Sequence, residues 1–141
     1  MSRRKAREIA LQALYELEYN DQSSQKACAM VLSLLDLEDA HSDSDFAMEI
    51  VSGVRANQKK IDKLITGLSE GWEINRMPAV DRNIIRIAIF EMFYVEDKLS
   101  PGIAINEAVE LAKTYGTDET SKFVNGLLSS VVKKFAAEIV E

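Results

Sequence analysis

From Val80 to Val95 the apolar residues cover almost the whole circumference of a helical wheel and leave Arg82 and Arg86 on one narrow polar stripe. A helix of that kind is stable only when other helices surround it. The segment therefore commits the chain to a helical bundle with Val80–Val95 near the middle of its second half. Glu91 points into the apolar arc shared by Val80, Ile84 and Ile87, so if buried it must be paired, hydrogen-bonded or protonated. A structural ion pair is the favoured reading, ahead of an acid/base role.

The neighbours are legible as amphipathic patterns. Ala6, Ile9, Ala10, Ala13, Leu14 and Leu17 fall on one arc of about 140° at 100° per residue. After the turn-like stretch from Asn20 to Ser24, Ala27, Met30, Val31, Leu34 and Leu35 repeat the pattern, with Cys28 at its edge as a small core residue. An acidic loop from Asp36 to Asp45 holds the single histidine, His41, which reads as solvated polarity. Phe46, Ile50, Val54, Ile61, Leu64, Ile65 and Leu68 stay in phase across Gly53, so residues 44–70 read as one helix of roughly 40 Å or two stacked coaxially. Gly67, Gly71 and Pro78 mark a break near residue 75, dividing one domain of 1–141 into subdomains of about 1–75 and 76–141. Ser100-Pro101 starts a helix carrying Ile105, Ala108, Val109 and Ala112 that ends at Gly116. Thr117 or Asp118 then caps a last helix with Val124, Leu127, Leu128, Val131, Phe135 and Ile139 on its stripe. No useful strand-period pattern occurs. The expected fold class is all-α, about seven helices in two packed helical bundles.

Composition bounds the function. With 141 residues, 47% hydrophobic and only 6 Gly and 2 Pro, the chain suffices for a core without disulfides or metals. One Cys and one His assemble neither a disulfide framework nor a metal cluster, and no cofactor is expected. The two also lie in different segments, which leaves no nucleophilic machinery. Phosphate-loop and dinucleotide fingerprints are missing as well. The expectation is a binding protein and not an enzyme. No signal-peptide pattern opens the chain, and its longest apolar stretch, Ile84 to Val95, falls short of the roughly 20 residues that span a bilayer. A soluble cytoplasmic location with no membrane partner follows as an expectation.

Charge is unevenly distributed. The net charge is −6, yet Arg3, Arg4, Lys5 and Arg7 supply 4 of the 17 basic residues within the first seven positions, leaving 13 bases against 23 acids elsewhere. Such a patch can meet phosphate because distant acids are screened beyond about 8 to 10 Å. It reads equally as a solvated tail. On the wheel of the first helix Arg4, Arg7, Leu11 and Tyr15 fall within about 80°, flanking the core stripe and outside it. Guanidinium groups beside an exposed ring suit single-stranded RNA, where cations meet phosphate and the ring stacks on a base. Tyr15 also fits a peripheral core position with its hydroxyl in water. Phe123, at a margin of the last stripe, is either a staple against the preceding segment or an exposed contact.

Several runs, in order and covering nearly the whole chain, resemble the NusB family. They are Arg-Arg-Lys-Ala-Arg-Glu with Gln12-Ala13-Leu14-Tyr15; Asp81-Arg82-Asn83 through Glu91; Ala104-Ile105-Asn106-Glu107-Ala108 through Lys113 with Tyr115-Gly116; and Lys122-Phe123-Val124-Asn125-Gly126. The resemblance implies two perpendicular helical bundles and a role in transcription antitermination, especially on ribosomal RNA operons. It further implies binding of the boxA element of nascent RNA as a heterodimer with the ribosomal protein NusE, for delivery to an RNA polymerase antitermination complex. By the same resemblance Arg3, Arg4, Lys5 and Arg7 contact RNA with Tyr15 close by, and Asp81, Glu119 and Phe123 lie at a shared RNA and partner surface. Four phosphate contacts predict a salt slope near −3, at about 0.7 per contact. A homodimer is a further possibility, motivated by the partly apolar patch of Leu11 and Tyr15.

Two other readings compete. A helical domain like that fused to some rRNA cytosine methyltransferases would need a further α/β domain for its methyl donor, which this length does not hold. A protein-only adaptor would use its acidic body on a basic partner, with the basic terminus as decoration.

Overall fold

The structure is a computed structural model and describes residues 3–35, 41–68 and 73–139. The acidic stretch at 36–40 and Gly71 and Trp72 lie outside the described residues, as do the side chains of Leu35, His41, Asp43 and Ile139. The described residues form seven α-helices and no strand: α1 (Arg3–Tyr19), α2 (Ser24–Leu35), α3 (His41–Ala56), α4 (Gln58–Thr66), α5 (Ala79–Ile89), α6 (Pro101–Tyr115) and α7 (Asp118–Ile139). A 3₁₀ turn at Ile74–Arg76 precedes α5, and a π-helical segment at Phe90–Tyr94 prolongs it. The all-α expectation holds.

Local chemistry sets the boundaries. Ser23 opens α2 by accepting from the Lys26 N–H at 3.1 Å. The run expected as one long or two coaxial helices is two, divided at Asn57, whose φ is −107° and whose side-chain amide donates to the Gly53 carbonyl at 2.8 Å. A side chain that bonds the preceding turn competes with helix continuation. The acidic loop is shorter than expected, because α3 already begins at His41. At the start of α7 the Thr120 N–H bonds Thr117 Oγ1 at 3.3 Å and the Thr117 N–H bonds Thr120 Oγ1 at 3.1 Å. This reciprocal pair makes Thr117 the cap and leaves Asp118 in the first turn.

The Val80–Val95 segment is enclosed as its pattern requires. Ile84, Ile85, Ile87, Ile89 and Met92 are all fully buried, with α1, α4, α6 and α7 packed against α5 and with α3, α6 and α7 against the π segment. Part of its polar stripe is covered as well, because Arg86 is buried against α4 while Arg82 stays partly exposed. On the other side of the molecule α1 packs against α2 and α3. The π turn, closed by Val95 N–H to the Phe90 carbonyl at 3.0 Å, turns Phe90 onto α3 at Gly53. A Cβ on Gly53 would lie 2.2 Å from the Phe90 ring.

This contact generates a stability prediction. Gly53→Ala should destabilise the fold by about 1 to 3 kcal/mol through overpacking. Gly102→Ala, where a Cβ meets nothing within 4 Å, should stay within about 0.5 kcal/mol of the parent. Urea denaturation of both variants checks the contrast, and equal midpoints would refute it.

Candidate nucleic-acid interface

The basic end of α1 is divided between solvent and core. Arg7, placed outside the core arc by the wheel, is only 6% exposed. It donates from Nε to Glu91 Oε1 at 2.7 Å and from Nη2 to Glu91 Oε2 at 2.9 Å. Leu11, on the same flank, is also buried. The wheel reading fails there because α1 is covered by the α5–α6 side as well as by α2 and α3. Glu91, 3% exposed, is thus the paired acid that its position demanded. Glu107 of α6 joins the two arginines: it accepts from Arg7 Nη1 at 3.3 Å and from Arg4 Nε and Nη2 at 3.1 and 2.9 Å. The hydrogen bond from Arg4 holds the Glu107 carboxyl below the ordinary carboxylate value, with burial opposing it.

The cations left at the surface are Arg3, Arg4 and Lys5. Arg3 lies over the Phe46 ring of α3 with Cζ 3.9 Å from its centroid, a cation–π contact that orients a charged side chain without burying it. Lys5 is 3.9 Å from Glu8, a partly exposed pair worth little in stability.

Tyr15 is 43% exposed and tilts against Tyr19 with ring centroids 5.1 Å apart. It lines an apolar groove of about 330 Å³ with Leu11, Val31, Leu34, Val80 and Tyr115. Leu34, expected on the core stripe of α2, is 76% exposed. Ala27, Cys28 and Val31 take the buried face of that helix, which turns Leu34 to the groove. The Tyr115 hydroxyl accepts from Gln12 at 2.9 Å and donates to Glu8 at 3.2 Å, tying α6 to α1 behind the groove.

Asp81, Glu119 and Phe123 gather where α5 and α7 begin. Asp81 is buried, which pushes its carboxyl up, while a hydrogen bond with Thr120 pulls it down less strongly. Glu119 is exposed in the first turn of α7. Phe123, one turn on, is half-buried and packed on the core. The structure does not bring Tyr15 to the basic end: Arg4 and Tyr15 lie about 16 Å apart along α1 at 1.5 Å per residue.

A second ionic cluster was not anticipated. Glu18 accepts from Arg82, from Asn83 at 2.7 Å and faces Arg86 at 3.6 Å, while Arg86 grips Asp62 with two bonds of 3.0 Å. Burial pushes Glu18 up, but its bonds to Arg82 and Asn83 outweigh that and leave it lowered. The polar stripe Arg82/Arg86 signalled these partners without naming them. Among the described residues no group of three or more His, Cys, Asp or Glu is placed to hold a metal ion, and no helix is long and apolar enough to cross a membrane.

The model of the NusB family matches residues 4–133. The chain belongs to the NusB family. Among curated relatives, the transcription antitermination protein NusB of Desulforudis audaxviator is 42% identical over 134 residues, 95% of either chain. Among solved structures, T. maritima NusB has a TM-score of 0.81 at 32% identity, covering 95% of this chain and 92% of that one. The crystal structure of antitermination factors NusB and NusE in complex with dsRNA has a TM-score of 0.81 at 25% identity, covering 94% and 96%.

In this NusB-family chain the buried Arg7–Glu91 pair sets two expectations. Arg7→Ala leaves Glu91 buried without its cation and should cost about 3 to 5 kcal/mol, whereas Glu91→Ala should cost less because Arg7 keeps Glu107. Replacing both with apolar residues of similar volume should cost far less, and a double-mutant cycle by chemical denaturation measures the difference. For pH, Glu107 and Glu18 are lowered in the fold, so their stabilisation is present above the ordinary carboxylate value of 4.5 and is lost as pH falls through it and below. Asp81 is raised and works in the opposite sense. Melting temperatures between about pH 6 and pH 3 should therefore fall less steeply for Glu107→Gln than for the parent; identical profiles would contradict the assignment.

Proposed function

We propose that this chain is a transcription antitermination factor that binds single-stranded boxA RNA of nascent rRNA transcripts together with the ribosomal protein NusE. It acts by binding, without catalysis, and delivers the RNA to an RNA polymerase antitermination complex. The carrying observation is that α1 presents solvent-facing Arg3 and Arg4, with half-exposed Lys5, at one end and the apolar Tyr15–Leu34 groove at the other. The first set suits phosphate and the second suits a protein partner. The curated relatives named as antitermination proteins, and the NusB–NusE–dsRNA complex, support both halves of the reading.

In this reading Arg3, Arg4 and Lys5 contact phosphate, and Arg7, spent on Glu91, positions Arg4 through Glu107. Asp81, Glu119 and Phe123 lie at the surface shared by RNA and partner, with Tyr15 facing the partner. Three phosphate contacts, in place of four, give a salt slope of about −2. Titration of a fluorescent boxA-type RNA and a scrambled control, at several salt concentrations and with or without NusE, tests it. Selective binding strengthened by NusE with that slope is the expected result, and a slope near zero would remove the basic end from the contact.

The exposed groove favours a second reading, in which the chain is a protein-only adaptor, and a homodimer through the same groove is its variant. Arg3→Glu with Arg4→Glu should abolish selective RNA binding while NusE binding survives; Leu34→Asp should do the reverse, weakening NusE binding about tenfold or more. If the parent chain binds NusE but shows no selective RNA binding, the adaptor reading prevails. Light scattering across a dilution series reads the dimer.

A further inference from the structure

A groove between α6 and α7 is used by neither the basic end nor the Tyr15 surface. It is a shallow depression of about 470 Å³, open to solvent. Ile105 and Val109 of α6 form its apolar floor, and its polar groups are Asn106, Ser121, Lys122 and Asn125. In a chain of net charge −6, this lining holds a lysine and no carboxylate. Asn106, Lys122 and Asn125 are exposed. Ser121 Oγ is the one buried side-chain polar atom among the described residues without a hydrogen-bond partner, and such an atom is costly unless a ligand or water serves it.

The groove adjoins the basic end of α1. Glu107, which Arg4 and Arg7 grip, immediately follows Asn106, so the Arg4 seam and the α6–α7 groove are neighbouring faces of one helix. Ile103, 54% exposed, lies one turn before Glu107 on the α1-facing side. Ile103 thus leaves an apolar step between the Arg4 seam and the groove.

We propose that the α6–α7 groove receives one unstacked base of the bound RNA. Ile105 and Val109 cover its face, and the amides of Asn106 and Asn125 read its edge. An amide offers a donor and an acceptor side by side, which matches the paired groups on a base edge, and splayed bases are the usual target of sequence-specific RNA readers. Selectivity then comes from this groove, while the α1 cations supply salt-dependent affinity that ignores sequence. The proposal rests on the RNA reading above.

The test uses the full chain with NusE, a fluorescent boxA-type RNA and its scrambled control. Asn106→Ala and Asn125→Ala should each cut the affinity ratio between the two RNAs about tenfold, with binding of the scrambled RNA and its salt slope unchanged. Gly102 also lines the groove, and a Cβ there meets nothing within 4 Å, so Gly102→Phe offers a ring to the groove from a position with room for a side chain, and circular dichroism checks that the helix is kept. This variant should bring the ratio close to one. As an independent readout, 5-iodouridine placed along the RNA should crosslink to peptides spanning 102–109 or 121–125. Parental selectivity in all three variants, or crosslinks confined elsewhere, would overturn the groove and leave the RNA reading standing. A parent chain with no preference between the RNAs would overturn both.

Discussion

Arg7 and Glu91 lie 84 positions apart in the chain and meet through two hydrogen bonds in a nearly water-free seam. Each is a charge that the interior would reject without the other. Their pairing therefore sets how α1 docks on the π end of the central helix, and Glu107 extends that constraint to Arg4 and α6. The guanidinium that reaches solvent is held by a carboxylate that is itself held by a buried guanidinium. The ordering of the basic end is inherited from the core.

The opposite end of α1 is fastened by the same means. Glu18 is gripped by Arg82 and Asn83 and faces Arg86, which in turn holds Asp62 of α4. Between these two polar clamps the buried face of α1 is apolar, with Ile9, Ala10, Ala13 and Leu14 inside, and Tyr115 ties its flank to α6 through Gln12 and Glu8. Apolar contact alone tolerates sliding and rotation, whereas a bidentate arginine–carboxylate pair has one geometry. The clamps thus fix register and the apolar stripe supplies cohesion. Gly53 admits the Phe90 ring and lets α3 close on the same seam.

Periodicity made most of this legible. The all-round apolar segment from Val80 to Val95 announced its own burial, and Glu91 within it announced a partner. Arg7 was misplaced because a helical wheel knows one helix and not how many neighbours cover its flanks. Leu34 erred the other way, matching a core stripe while facing a groove left open. The division at Asn57 was invisible to phase, since the apolar residues on either side remain aligned across it. Of the surface residues singled out beforehand, the basic end could be seen in the charge distribution. Glu107, the acid that organises it, is 100 positions from Arg7 and carried no local signal.

The two clamps also make α1 a gauge of fixed length. Its basic tip and its tyrosine are parts of one rigid rod, and each added residue turns one end about 100° relative to the other. An insertion between Arg7 and Glu18 would force the chain to surrender one clamp or the other, whereas an insertion in the connection at 20–23 would disturb neither. The connection can thus change in length without touching either clamp, whereas the residue count of the first helix is fixed by both.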